Sequence, residues 1–407
     1  MVKLKQWISD YRVIAALFVL IAIFVSIEAR LSGKKTFEEG GFEYNRYNNY
    51  TIFKQSWFHL IDGKDLYVLY PQEHWDLYKY SPTFSLLFGS LAYFSDPIGL
   101  ALWDILNSLL LVFAVWCIPK LTNYQKGLIL LICIFESTTA LQSEQSNHLM
   151  AGLIILAFAL CEREKFFLAA LCIALSAYIK IFGIVAFALF LFYPQKLKPA
   201  LYSVICFVAL FFLPLIVISF DQLKHLYDSW LRMLSADLAT NYGISLVGWL
   251  KSWVPFSFDK RWITLAGIVF FVTPFTRIKM YRYYAFRFLA LSSVLIWVVI
   301  FNNRAESPSY VIAMAGAGIW FVTAKKNAMN ISLFLFVMLL TSLSSSDLYP
   351  RMIRKEYIEP FALKALPSVL IWVKIVYEMI TMKKGESESM NGSEPVPHSP
   401  DTLIVAD

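Results

Sequence analysis

The sequence predicts an all-α polytopic membrane protein, and three observations predict it. Hydrophobic residues fill 58% of the 407 positions and charged residues only 16%, more apolar than a soluble chain of this length can cover with polar surface. Apolar runs recur along the chain, many approaching the roughly 20 residues that cross the hydrocarbon core of a bilayer. The polar remainder is concentrated, with 13 charged residues and 12 aromatics in the 49 positions of 31–79. In lipid every backbone polar group must be satisfied within its own segment, so the spans are helices.

Val13–Ala29 is the first span, with Lys3, Lys5 and Arg12 before it. Its apolar core exceeds a signal-peptide h-region and no small-residue cleavage site follows, so it reads as a retained anchor. About twelve spans are expected, at 13–29, 98–118, 127–141, 147–161, 166–178, 181–193, 199–219, 262–275, 284–301, 308–323, 329–345 and 362–381. The basic connectors Lys120/Lys126, Arg163/Lys165, Lys196/Lys198, Arg277/Lys279/Arg282/Arg287 and Lys325/Lys326 then share one side. The positive-inside rule makes that side cytoplasmic, with both termini. Residues 1–382 form one multi-span domain. Residues 383–407, rich in Ser, Glu and Pro, read as a disordered cytoplasmic tail.

This count needs Ser81–Phe94 not to cross. The segment is short for a span and opens with Ser81-Pro82, which suits a re-entrant or interfacial element. A rival count makes 80–95 a span and 166–193 one long helix, but strands Lys120, Lys126, Arg163 and Lys165 outside. The preferred topology sends 31–79, Glu136–Asn147, Lys180, 220–261, Asn302–Ser307 and Ser344–Glu359 to the outer face. Within the first loop, Ile52, Phe53, Trp57, Leu60 and Ile61 share a helical face that ends at Asp62-Gly63. That pattern predicts an amphipathic interfacial helix. Trp75, Tyr78 and Tyr80 read as the start of a second interfacial piece.

Several chemistries are not indicated. The net charge of +7 is scattered over short connectors, so no nucleic-acid partner is expected. The five cysteines lie in or at the ends of apolar runs without C-x-x-C spacing, and read as small core residues. His59, His74, His148 and His225 form no ligand spacing, and no D-x-D pair is present, so no metal is expected. No cofactor is expected either, and there is no G-x-x-x-x-G-K-[ST] loop for a nucleotide-driven pump.

Lys180 is flanked by apolar residues, where a cation costs about 2.5–3.5 kcal/mol on insertion scales. It either pairs with a lipid phosphate or snorkels to the interface from a turn. Gln142, Glu144, Gln145 and Asn147 either contact sugar hydroxyls or form a polar connector with a helix cap. Arg304 could clamp a phosphate and Glu306 could act as acid or base, or the two close a short structural loop. The first loop supplies seven carboxylates, of which at least five only keep it solvated. Attack by an acceptor hydroxyl on an anomeric carbon needs a carboxylate to take the proton and cations to stabilise the leaving phosphate.

The order Asn49-Tyr-Thr-Ile-Phe53, Leu60-Ile-Asp-Gly63, Tyr67, then Tyr80-Ser-Pro-Thr83, resembles glycosyltransferase family 87. That family begins with Asp-aromatic, followed by Leu-Leu-x-Gly, Tyr and Tyr-Pro-Pro. Trp103, Asn107, the Gln145-Ser-Asn147 run (family Gly-Gln-x-Asn), Ile179-Lys180 and Ser245-Leu-Val-Gly248 are similar to later family positions. The similarity covers about 45–255 and weakens to about 380. It implies the C-type glycosyltransferase fold in the plasma (inner) membrane. It also implies transfer, with inversion, of a sugar from a polyprenyl-phosphate donor, commonly mannose, to a glycan or glycolipid acceptor among the membrane lipids.

The position of the family Asp is Asn49, whose amide cannot be a base, and the second Pro of Tyr-Pro-Pro is Thr83. Glu43 and then Asp76 are the replacement bases expected. Lys180 and Arg304 are expected on the phosphate, and Gln142, Gln145, Asn147 and Glu306 on the sugar or head group. The alternatives are a non-catalytic relative that binds a lipid-linked sugar, and a transporter or flippase for a lipid-linked saccharide.

Overall fold

The computed structural model describes residues 2–36, 41–240, 242–254, 259–346 and 349–383. The expected tail from 384 onward, Glu38, Glu39 and Asp347 lie outside the described residues. Helices dominate: α1 Val2–Ser9, α2 Tyr11–Leu31, α3 Asn48–Ile61, α4 Pro82–Ala92, α5 Asp96–Trp116, α6 Asn123–Ile132, α7 Ile134–Leu141, α8 Asn147–Cys161 and α9 Phe166–Ile179. After a 3-10 helix at Ile181–Phe192 come α10 Leu197–Phe212, α11 Phe220–Thr240, α12 Leu246–Trp253, α13 Lys260–Val272, α14 Tyr284–Ile300, α15 Tyr310–Thr323 and α16 Ala328–Phe336. A single turn α17 Arg351–Ile353 precedes α18 Ala365–Thr381. One small antiparallel hairpin departs from the all-α expectation, pairing β1 Lys34–Thr36 with β2 Glu43–Asn45.

Among the described residues, four helical stretches are long and apolar enough to cross a membrane: Tyr11–Leu31, Asp96–Trp116, Leu197–Ile216 and Ala328–Ser345. Of the shorter apolar helices of 10–17 residues, Asn147–Cys161, Phe166–Ile179, Ile181–Phe192, Tyr284–Ile300 and Ser307–Thr323 fall where spans are expected, whereas Pro82–Ala92 falls in the segment expected not to cross. The expected 127–141 span is not continuous. Its helix is broken at Cys133 into α6 and α7.

The 166–193 stretch is not one helix. Backbone at Lys180 is extended (φ −139°, ψ 124°) and the chain reverses. The ring of Phe166, at the start of α9, lies 5.7 Å from that of Tyr193, just after the 3-10 helix. The two helices are therefore an antiparallel hairpin with Lys180 at its tip. Gly183 permits the tight reversal, since a Cβ there would lie 2.6 Å from a backbone carbon of Ser176. By contrast α4, with 11 residues, is about 16 Å long, half the hydrocarbon thickness. Ser81 caps it by accepting from Phe84 N, with Pro82 at its first position.

Basic connectors gather at one end of the bundle. Arg287 makes a bidentate pair with Glu162 (2.5 and 2.7 Å), Tyr193 donates to Glu162, and Tyr284 donates to the Pro119 carbonyl. Arg277 donates to the carbonyls of Met379 and Met382. The opposite end carries the polar loops and α3.

There α3 forms as expected and Gly63 ends it at φ +73°. Its apolar face is not given over to lipid: Ile52, Phe53 and Leu60 are buried against the protein and only Ile61 is exposed. Tyr78 and Tyr80 are likewise buried, in a non-helical stretch, instead of opening an interfacial helix. Phe53 packs edge-on against Tyr80, Phe84 and Trp103 at 4.8–5.6 Å, so this end has its own aromatic core. Four of the five cysteines are buried and Cys117 is half-buried; all are free.

Candidate functional site

Lys180 stands at the hairpin tip because an apolar helix ends one residue before it and another begins one residue after it. Its Nζ donates to Asn147 Oδ1 at 2.7 Å and to Gln145 Oε1 at 3.4 Å, and lies 5.7 Å from the centre of the Tyr80 ring. Asn147 Nδ2 donates to Gln145 Oε1 at 2.8 Å, and Gln145 Nε2 donates to Glu306 Oε2 at 2.6 Å. Residues from the α7–α8 loop, the helical hairpin and the α14–α15 loop thus form one network. Glu306 and Lys79 are the charges whose fields reach Lys180. Lys79 is held in turn by Asp76 at 2.6 Å. Two lysines thus lie between two carboxylates, an arrangement suited to an anion flanked by proton-accepting groups.

Buried contacts hold the network in place. Ser81 donates to the Tyr178 carbonyl at 2.6 Å, joining the start of α4 to the hairpin, and Ser146 donates to Tyr80 Oη at 3.3 Å. Beside Glu306, Ser307 accepts from Lys364 Nζ at 2.6 Å. That lysine also contacts both Glu136 oxygens at 2.8 and 2.9 Å. Glu136 is fully buried and Lys364 is 3% exposed, so the pair is compensated only by the polar groups around it. Sequence reasoning missed it. The available signal was one charge within each of two apolar stretches, but nothing in the chain pairs residues 228 positions apart.

The remaining candidates are spread around this network. Asn49 donates Nδ2 to the Ser143 carbonyl at 2.8 Å, in the same α7–α8 loop. Gln142, in that loop too, faces the other way and donates to Glu28 at 3.0 Å. It lines a cavity of about 280 Å³ with Glu28, Lys35, Asn45, Arg46 and Asn48. Arg304 directs Nη2 to the Leu234 carbonyl of α11 at 3.4 Å. Glu43 sits exposed on β2, paired in register with Thr36. Asp76 has φ +78°, a left-handed conformation that a non-glycine residue adopts at a cost, and accepts from Leu77 N at 2.7 Å.

A profile of glycosyltransferase family 87 matches residues 78–346, about two thirds of the chain. The chain belongs to glycosyltransferase family 87. No curated protein matches it at a significant level. The matched region includes Lys180, Gln145, Asn147 and Glu306 and begins after Asn49, Glu43 and Asp76. Membership makes the chain a membrane glycosyltransferase, and the matched region contains the Lys180 network.

Membership also makes Glu144 intelligible. Family 87 places glycine one residue before its Gln-x-Asn, and Glu144 occupies that position at φ +48°, a conformation glycine takes freely. The Glu144 side chain is 2% exposed and its Oε1 lacks a hydrogen bond. Burial, and then the Asp104 carboxylate, push its proton affinity well above the usual carboxylate range, while the Asn49 backbone N–H acts in the opposite direction.

Proposed function

We propose that the protein transfers a sugar from a polyprenyl-phosphate donor to a glycan or glycolipid acceptor at the outer face of the plasma membrane. The observation that carries this is the Lys180 network. It is one cation held by two amides and flanked by a carboxylate, at the end of the bundle opposite the basic connectors. The reading includes about twelve crossings, the C-type fold and mannose as the first donor to test.

In this reading Lys180 and Lys79 bind the donor phosphate, and Gln145 and Asn147 orient Lys180 and bond sugar hydroxyls. A carboxylate takes the proton from the acceptor hydroxyl as its oxygen bonds to the anomeric carbon on the face opposite the phosphate. The bond from that carbon to the phosphate oxygen breaks, and polyprenyl phosphate leaves with the electron pair, stabilised by the cations. Asn49 cannot accept the proton. Between the expected replacements, Asp76 is favoured over Glu43, because it pairs with Lys79, the second phosphate-binding cation of this reading.

Sugar transfer by purified protein in nanodiscs, read by product mass, tests this choice. Asp76→Asn should lower turnover by about 10²–10⁴-fold, the range for a general base, while Glu43→Gln stays within a few-fold of the parent. The reverse order would move the base to Glu43. Loss in neither variant would remove both carboxylates from the mechanism, whereas donor binding without any turnover in the parent would support the second reading that Asn49 specifically allows, a relative that binds lipid-linked sugar without turning it over.

A further inference from the structure

The stretch between α3 and α4 brings together metal-ligating groups that lie outside the Lys180 network. A ring nitrogen of His59, a ring nitrogen of His74 and a carboxylate oxygen of Glu73 all lie within 4.8 Å of one another. Both histidines are 3% exposed, whereas Glu73 reaches them from the surface with its side chain 34% exposed. His59 Nε2 is 2.8 Å from Glu73 Oε2, and the Tyr70 ring lies 3.8 Å from the His59 ring. The turn that delivers Glu73 and His74 is fixed by their backbone N–H groups, which donate to the Tyr70 carbonyl at 2.9 and 3.1 Å. His74 Nδ1 is 3.1 Å from the Asp76 carbonyl. A proton on Nδ1 then leaves Nε2 with its lone pair, the way a ligating imidazole is usually oriented.

We propose that His59, His74 and Glu73 bind one divalent cation of the zinc class, with water completing the shell, and that the ion staples the 70–76 turn to α3. Two imidazoles and a carboxylate suit zinc, whereas magnesium and calcium favour all-oxygen shells. Tetrahedral bonds of about 2.0–2.1 Å set ligand atoms about 3.3 Å apart. The His59–Glu73 pair must therefore open by about half an ångström, and the widest separation must close. Rotation of the half-exposed Glu73 side chain and small tilts of the rings supply this. An ion pair alone accounts for His59 and Glu73 but not for a second buried imidazole at the same point. Because His74 is bonded to the backbone of Asp76, the ion also fixes the left-handed turn that presents the Asp76 carboxylate.

The test is zinc binding to the full chain in nanodiscs after chelator treatment, titrated with zinc alone and followed by metal content and melting temperature. One equivalent should bind and raise the melting temperature. Affinity should fall at least about tenfold in His74→Ala and in the surface variant Glu73→Gln, a loss that even outer-shell changes produce. His225→Ala should bind like the parent, because that imidazole pairs with Asp65. Absence of stoichiometric binding overturns the proposal. So does equal binding by Glu73→Gln and the parent, or equal weakening in His225→Ala.

Discussion

At the scale of single residues, the polar constellation was readable where neighbours in sequence are also neighbours in space. Gln145 and Asn147 lie two positions apart and meet Lys180, which stood out as a cation between two apolar runs. Arg304 and Gln142 have similar chemistry but serve other contacts, because a rotation of one residue in a loop sends a side chain to α11 or to the Glu28 cavity. Glu144 shows the limit from the other side. Its type suggests a solvated loop carboxylate, yet it is buried in a conformation that glycine prefers. Its proton affinity is raised in the folded state by burial, so its contribution is fullest below the unfolded value of 4.5 and is lost as pH rises toward the folded one. Glu144→Gln should fold normally and lose less stability than the parent between pH 5 and pH 8, measured by thermal melting. Identical pH profiles would show that Glu144 is ionised and compensated in place.

Among the elements, helix existence was legible and helix partnership was not. Apolar runs and the polar break at Lys180 separate α9 from the 3-10 helix in the sequence, and the structure makes them a hairpin. The apolar stripe of α3 was readable too, but a stripe cannot say whether protein or lipid covers it; here α4 and the aromatic core do. Likewise no periodicity announces that the α14–α15 loop is pinned through Ser307 to Lys364 and Glu136. Lys364→Met should cost about 3–5 kcal/mol, because it leaves Glu136 buried without its partner. Glu136→Gln combined with Lys364→Met should recover much of that loss in melting experiments while leaving Glu306 less well placed and transfer slower. Additive destabilisation in the double variant would mean that the two charges do not act as a pair.

For the whole molecule, composition alone was enough to fix the class, because a chain this apolar has no soluble solution. The sidedness of the bundle follows from contacts between remote loops. Glu162, Tyr193, Arg277 and Arg287 are drawn to one end, and Lys180, Gln145 and Glu306 to the other. Single cysteines introduced at Asn303 and at Lys326 should be labelled by an impermeant maleimide from opposite faces of sealed vesicles. Labelling from one face would refute the proposed alternation of spans.

The central claim is that Lys180 binds the phosphate of a lipid-linked sugar during transfer. The most direct measurement offers polyprenyl-phosphate mannose and glucose, with mixed glycolipid acceptors, to the protein and to Lys180→Ala in nanodiscs, and reads product mass. The account predicts a gain of one sugar on an acceptor, reduced about 100-fold or more in the variant, the scale of losing one charge-stabilising contact. Transfer that proceeds equally well in Lys180→Ala would contradict it.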